Sequence, residues 1–117
     1  MIIAVDFDGT IVRDIFPNKP SSADILPFAK EVLWELHRKG HALVLWTLRY
    51  SSRFCQSRQM ADAMDFLREN ELAFLITPSQ IVSEPTWKFP ADLFIDDKVP
   101  GGFPGWRFIG KALGVLE

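Results

Sequence analysis

The 117-residue chain predicts a single α/β domain. Three features point there. Short apolar runs at residues 2–5, 42–46 and 93–95 are continuous rather than alternating, the pattern of strands covered on both faces. Between the first two runs, apolar residues recur at three- and four-residue steps, the period of an amphipathic helix. Strand, helix and strand in that order build a parallel sheet through right-handed crossovers.

The first strand spans residues 2–7, where Ile2, Ile3 and Val5 favour extended backbone, and it ends in DFDGT at residues 6–10. Two carboxylates and a glycine thus stand at the tip of the strongest strand. Taken alone, they are also the residues of an ordinary turn. Residues 11–23, with Pro17, Pro20, Ser21 and Ser22, read as a connecting loop. Ile25, Phe28, Ala29, Val32, Leu33 and Leu36 then mark one face of a helix over 26–39, with Pro27 in its first turn and Gly40 just past its end. HALVLWT, residues 41–47, is a second buried strand closed by Thr47. A polar loop over 49–57 precedes a second helix marked by Met60, Ala63, Met64 and Leu67 and ending near Asn70. LAFLI at 72–76 reads as a third strand, the proline-containing stretch 77–90 as loop, and DLFIDD at 92–97 as a fourth strand that again runs into acids. The turn-rich GGFPGW and a short apolar segment from Phe108 to Leu116 complete the chain. No repeat or boundary interrupts it, so residues 1–117 are expected to form one three-layer, Rossmann-like domain with a mainly parallel sheet.

Hydrophobic residues make up 48% and charged residues 24%, which excludes the disordered and low-complexity classes. A net charge of −2 provides no broad basic field for nucleic acid or an anionic membrane. Cys55 is the single cysteine, so no intrachain disulfide forms and a reducing, cytoplasmic setting is expected. Asp6 stops the N-terminal apolar run too early for a signal segment or a membrane span.

A parallel sheet sets the C-terminal ends of its strands along one edge, where ligands bind. The conspicuous polar residues fall at such ends: Asp6 and Asp8 after the first strand, Thr47 at the second, Asp96 and Asp97 at the fourth. Carboxylates 4 Å apart repel by about 4 kcal/mol at an effective dielectric near 20, so neighbouring acids need a cation. Hard oxygens suit Mg²⁺, and the two histidines, His37 and His41, flank a helix end instead. An aspartate in such a place can attack phosphorus, and a carboxyl two residues on can protonate the leaving oxygen and then activate water. The hydroxyl of Thr47 and the ammonium of Lys88 would supply donors for phosphoryl oxygens. Arg49 offers a bidentate contact of the same kind or stands as a surface arginine, and Arg13 is a weaker candidate. Trp34 and Trp46 read as core, Trp87 and Trp106 as loop aromatics able to stack on a substrate ring, and Cys55 as an incidental thiol.

DFDGT ending a first strand, an apolar strand closing in Thr47, Lys88 on a later loop and FIDD ending a fourth strand together resemble the ordered motifs of the haloacid dehalogenase (HAD) superfamily. The resemblance covers nearly the whole chain. It implies that Asp6 is the nucleophile and Asp8 the general acid/base, which also lends its backbone carbonyl to Mg²⁺. It further implies that Thr47 and Lys88 bind the phosphoryl group, and that Asp96 and Asp97 complete the metal site, Asp96 as the direct ligand. Lys88, Pro90, Ala91, Asp92, Ile95, Asp96 and Asp97, followed by Gly105 and Trp106, are similar to the pattern of small bacterial and phage hydrolases of this superfamily.

Many members of that superfamily insert a cap domain after the first motif or before the lysine. Here residues 11–23 and 77–90 are too short for one, so a capless Mg²⁺-dependent phosphohydrolase is the expectation. An open site implies cover from a bulky phosphorylated substrate or from a second subunit of a homo-oligomer. Sugar phosphates, nucleotides, nucleic-acid ends and phosphoproteins all stay open as substrates. A receiver domain also gathers acids, a Thr and a Lys at strand ends, but its phosphoacceptor Asp closes a middle strand, and LAFLI runs into Thr77-Pro78. A catalytically idle binding module of the same fold is a third reading, and the presence of every motif residue speaks against it.

Overall fold

The computed structural model of the chain describes residues 1–16, 18–47, 59–75 and 91–117. Arg49, Cys55, Trp87 and Lys88, to which the sequence assigns roles, lie outside them. The described elements are β1 (Ile2–Val5), α1 (Ala29–Arg38), β2 (Ala42–Leu45), α2 (Gln59–Glu69), β3 (Leu93–Ile95) and α3 (Trp106–Ala112). Two 3-10 turns, Ser22–Asp24 and Ala73–Leu75, stand between them.

The sheet has the order β2-β1-β3, and both pairings are parallel, as the sequence predicts. Ile3 is in register with Leu43 and Leu93, and Val5 with Leu45 and Ile95, so these residues share one face. That face meets Val32, Leu33 and Leu36 of α1, Phe66 and Leu67 of α2, and Trp106 and Ile109 of α3 in one core. The opposite face carries Ala4, Val44 and the half-exposed Phe94, whose ring meets Trp46 edge-on at 6.3 Å. The chain is therefore a small α/β domain of Rossmann-like type.

The described connection from β1 to α1 is a loop with one 3-10 turn, and no cap domain stands there. Helix α1 begins at Ala29 rather than residue 26, because Phe28 is left-handed at φ 65° and Pro27 precedes the helix instead of opening it. The backbone before Phe28 is committed elsewhere. Ile25 bridges Val12, and the Leu26 amide donates to Ile11 O at 2.9 Å, so this segment is tied to the loop after β1. At its other end α1 closes as expected. Gly40 donates to His37 O at 3.0 Å and His41 to Leu36 O at 3.2 Å, the paired bonds of a Schellman ending with glycine at φ 89°.

Two other readings change. Ala73–Leu75 is a 3-10 turn, not a strand: Leu72 donates to Leu67 O at 2.7 Å and Leu75 to Leu72 O at 3.1 Å. These amides point back toward α2 rather than to a neighbouring strand, and the buried Leu72 and Leu75 face the core three residues apart. The apolar tail is helical through Ala112 and leaves the helix at Leu113, and α3 starts at Trp106, ahead of the apolar stretch that marks it in the sequence. No helix among the described residues is long and apolar enough to cross a membrane.

Candidate functional site

Because β1 and β3 are adjacent and parallel, their ends deliver acids to the same edge. The Asp6 amide donates to Ile95 O at 2.9 Å, which extends the ladder one residue past β1 and fixes Asp6 beside Asp96 and Asp97. One carboxylate oxygen from each of these three residues lies within 4.8 Å of the other two. Asp97 Oδ1 is buried and has no hydrogen-bond partner among the described residues. Asp97 Oδ2 lies 3.8 Å from Lys98 Nζ, and Asp96 Oδ1 accepts from the Lys98 amide at 3.2 Å.

The turn after β1 shapes the other wall. The carbonyl of Phe7 accepts from the amides of Thr10, Ile11 and Val12 at 3.3, 2.9 and 3.2 Å, while Gly9 donates to Val12 O at 2.8 Å. The Phe7 ring is buried and meets Phe66 edge-on at 5.6 Å, so the turn is anchored in the core. Gly9 is left-handed at φ 80°, and a Cβ built on it would stand 2.9 Å from Asp97 Cγ and overlap Asp97 Oδ2. Only glycine meets both demands. Thr10, fully buried, directs its hydroxyl to Asp6 Oδ2 over a long 3.4 Å, and its carbonyl accepts from Trp106 Nε1 at 2.6 Å.

The acids perturb one another. Burial first, then the adjacent Asp97 carboxyl and the charge of Asp96, pushes Asp6 up to about 8, against the pull of the Phe7 amide. Burial works upward on Asp96 too, but the Lys98 amide and the hydrogen bonds with Asp97 and Asp6 outweigh it and hold Asp96 below the ordinary carboxylate range. Without a cation, therefore, Asp6 holds its proton far more tightly than Asp96. All the converging donors are hard carboxylate oxygens, Asp97 carries a buried oxygen with no partner among the described residues, and the acids repel. These residues fit a hard divalent cation such as Mg²⁺.

Of the residues singled out from sequence, Asp6, Asp96 and Asp97 come together. Asp8 lies on the turn, half-exposed and bridged to Val12, and its carboxylate is not one of the converging three. Thr47 is buried two residues beyond β2, on the other side of β1 from the Asp96–Asp97 segment. Lys88 and Arg49 lie outside the described residues. Arg13 pairs with Asp24 through Nε at 3.1 Å and turns to that partner rather than to the acids. Trp106 is corrected: at 1% exposure it belongs to the core and offers no ring for stacking. Sequence reasoning assigned Thr10 only to the turn and passed over Lys98. A hydroxyl four residues past Asp6 and a cation next to Asp97 were the available signals.

No protein-family model matches the chain, and no curated protein matches it. Among solved structures it is similar to a "conserved protein coded by locus from Bacteroides thetaiotaomicron", with 35% identity and a TM-score of 0.74. The match covers 97% of this chain and 89% of that one. This chain belongs to the same family as that conserved Bacteroides thetaiotaomicron protein.

Proposed function

We propose that this protein is a Mg²⁺-dependent phosphomonoester hydrolase of the haloacid dehalogenase type, acting through an aspartyl-phosphate on Asp6. The observation that carries the reading is the convergence of Asp6, Asp96 and Asp97 within 4.8 Å at the C-terminal edge of a parallel sheet. Asp6, Asp96 and Asp97 would hold Mg²⁺, which when bound would supply positive charge against the acids and the transferring phosphoryl group. An Asp6 oxygen forms the bond to phosphorus as the ester P–O bond breaks, and Asp8 passes its proton to the departing oxygen. The Asp8 carboxylate then takes a proton from water, whose oxygen bonds to phosphorus while the Asp6–phosphorus bond breaks. Inorganic phosphate leaves and both residues are restored.

Thr47 and Lys88 hold phosphoryl oxygens in this reading, with Arg49 as a further donor. The substrate is a phosphomonoester that covers the site by its own bulk or under a second subunit. The lone Cys55 agrees with a cytoplasmic enzyme. The test is hydrolysis of p-nitrophenyl phosphate with Mg²⁺. Asp6→Asn is expected to lower turnover by at least about 10³-fold with an unchanged circular dichroism spectrum, and excess EDTA to abolish it. Turnover that survives Asp6→Asn overturns the nucleophile assignment, and turnover that survives EDTA overturns the metal.

A further inference from the structure

Thr10 is fully buried, and the amides of its turn, those of Thr10, Ile11 and Val12, donate to Phe7 O rather than to the Thr10 carbonyl. Such a carbonyl needs a donor from elsewhere in the fold. Trp106 provides it across 96 residues of sequence, through a buried bond of 2.6 Å. Trp106 opens α3, and the chain reaches it from Asp97 through residues 98–105, with the indole braced edge-on by Phe103 at 5.7 Å. One N–H therefore joins the two segments that bear the acids, the turn after β1 and the chain leaving β3.

Thr10 and the residue before it bear on both segments. Thr10 directs a hydroxyl to Asp6 Oδ2 at 3.4 Å, and the preceding residue, Gly9, lies so close to Asp97 that a Cβ would meet its Cγ at 2.9 Å. That carbonyl belongs to the Thr10–Ile11 peptide, whose amide donates to Phe7 O at 2.9 Å, so without the indole the peptide is held at one end only, and Thr10, with Gly9 before it, is freed to shift against Asp6 and Asp97. We infer that Trp106 is a positioning residue, whose indole N–H, by holding the Thr10 carbonyl, sets the spacing of Asp6 against Asp97 through Thr10 and the adjoining Gly9. The inference rests on the metal-dependent reading of the site and adds to it a residue that touches neither metal nor substrate.

The test compares Mg²⁺ titration calorimetry and p-nitrophenyl phosphate kinetics for Trp106→Phe, which keeps an aromatic ring without the donor. Replacing Trp106 with benzothienylalanine, which keeps the fused ring with sulfur in place of N–H, isolates the bond if the smaller ring weakens folding. Both variants are expected to bind Mg²⁺ about 10-fold more weakly and to lose a similar factor in kcat with KM unchanged. Leu36→Val, a change in the α1 side of the core, lowers stability and leaves the Mg²⁺ affinity at its wild-type value. Wild-type Mg²⁺ affinity in a folded benzothienylalanine protein overturns the assignment of Trp106. If the wild-type protein binds Mg²⁺ and hydrolyses no phosphomonoester, the phosphohydrolase reading fails while the titration still judges Trp106. A wild-type protein that binds no Mg²⁺ overturns both.

Discussion

Asp24 and the Asp6–Asp96–Asp97 group are both withdrawn from solvent, and their surroundings are opposite. Asp24 Oδ1 accepts from both Nε and Nη2 of Arg13, and its Oδ2 accepts from the Ser21 amide at 2.8 Å and the Ser21 hydroxyl at 3.3 Å. The Ser21 amide foremost, with Arg13 beside it, holds Asp24 below the ordinary carboxylate range. In the other group each acid faces further acids, and one buried oxygen has no partner among the described residues. The fold completes the first site from its own groups. In the second, the described residues bring only Lys98 against three carboxylates, and in the proposed reading a bound cation completes the balance at some cost to the stability of the metal-free protein.

The sharpest way to break that contrast is to neutralise one acid in each group. Asp97→Asn is expected to weaken Mg²⁺ binding by about 100-fold and, in metal-free protein, to raise the melting temperature by relieving repulsion. Asp24→Asn should do the reverse, lowering the melting temperature through weaker bonds to Arg13 and Ser21 while leaving Mg²⁺ affinity unchanged. Calorimetric titration and thermal melts of the two variants check both directions. Equal Mg²⁺ affinity for Asp97→Asn and wild type would remove the orphaned oxygen from the ligand set.

Gly9→Ala tests whether the close contact beneath the acids is as tight as the geometry requires. The left-handed backbone and the overlap with Asp97 predict a loss of about 1–3 kcal/mol in urea denaturation, together with weakened Mg²⁺ binding. Gly40 is left-handed as well, at φ 89°, but has open space around it, so Gly40→Ala should cost stability and leave the metal untouched. Matching Mg²⁺ affinities for the two alanine variants would deny Gly9 its role in spacing the acids.

How far the sequence discloses these features depends on whether the cause is local. The opening strand is legible because a continuous apolar run ending in acids has its own periodicity and its own breakers. That Asp6 meets Asp96 and Asp97 follows only once parallel pairing of β1 with β3 is granted, since ninety residues separate them. LAFLI misleads because a short apolar run looks the same in a buried strand and in a 3-10 turn returning to α2. The late start of α1 is set by the Val12–Ile25 bridge, a tertiary contact that overrides the helical period at Ile25 and Phe28. Trp106 is the clearest case. Its Gly-Trp stretch is conspicuous in the sequence, but its partner is a backbone carbonyl, which no residue pattern marks.

The remaining comparison is the one in which the two acid groups differ in sign. Asp24 has its folded pKa below the ordinary 3.8, so its contribution to stability is present above 3.8 and is lost as pH falls through the folded value. Asp6 has its folded pKa raised from 3.8 to about 8, so its contribution is fully present below 3.8 and is lost as pH rises through about 8. Metal-free protein followed by urea denaturation across the pH range should therefore weaken at both ends, each for a different carboxylate. Asp24→Asn flattens the acid limb, and Asp97→Asn, which removes a like charge and a neighbouring carboxyl from Asp6, reduces the alkaline one. Saturating Mg²⁺ should abolish the alkaline limb and leave the Asp24 part of the acid limb in place, because Asp6 stays ionised wherever the cation is bound and Asp24 is held by Arg13 and Ser21. An alkaline limb that persists under saturating Mg²⁺ would mean that Asp6 is not a ligand, and the contrast between a site closed by the fold and a site closed by a metal would then rest on Asp96 and Asp97 alone.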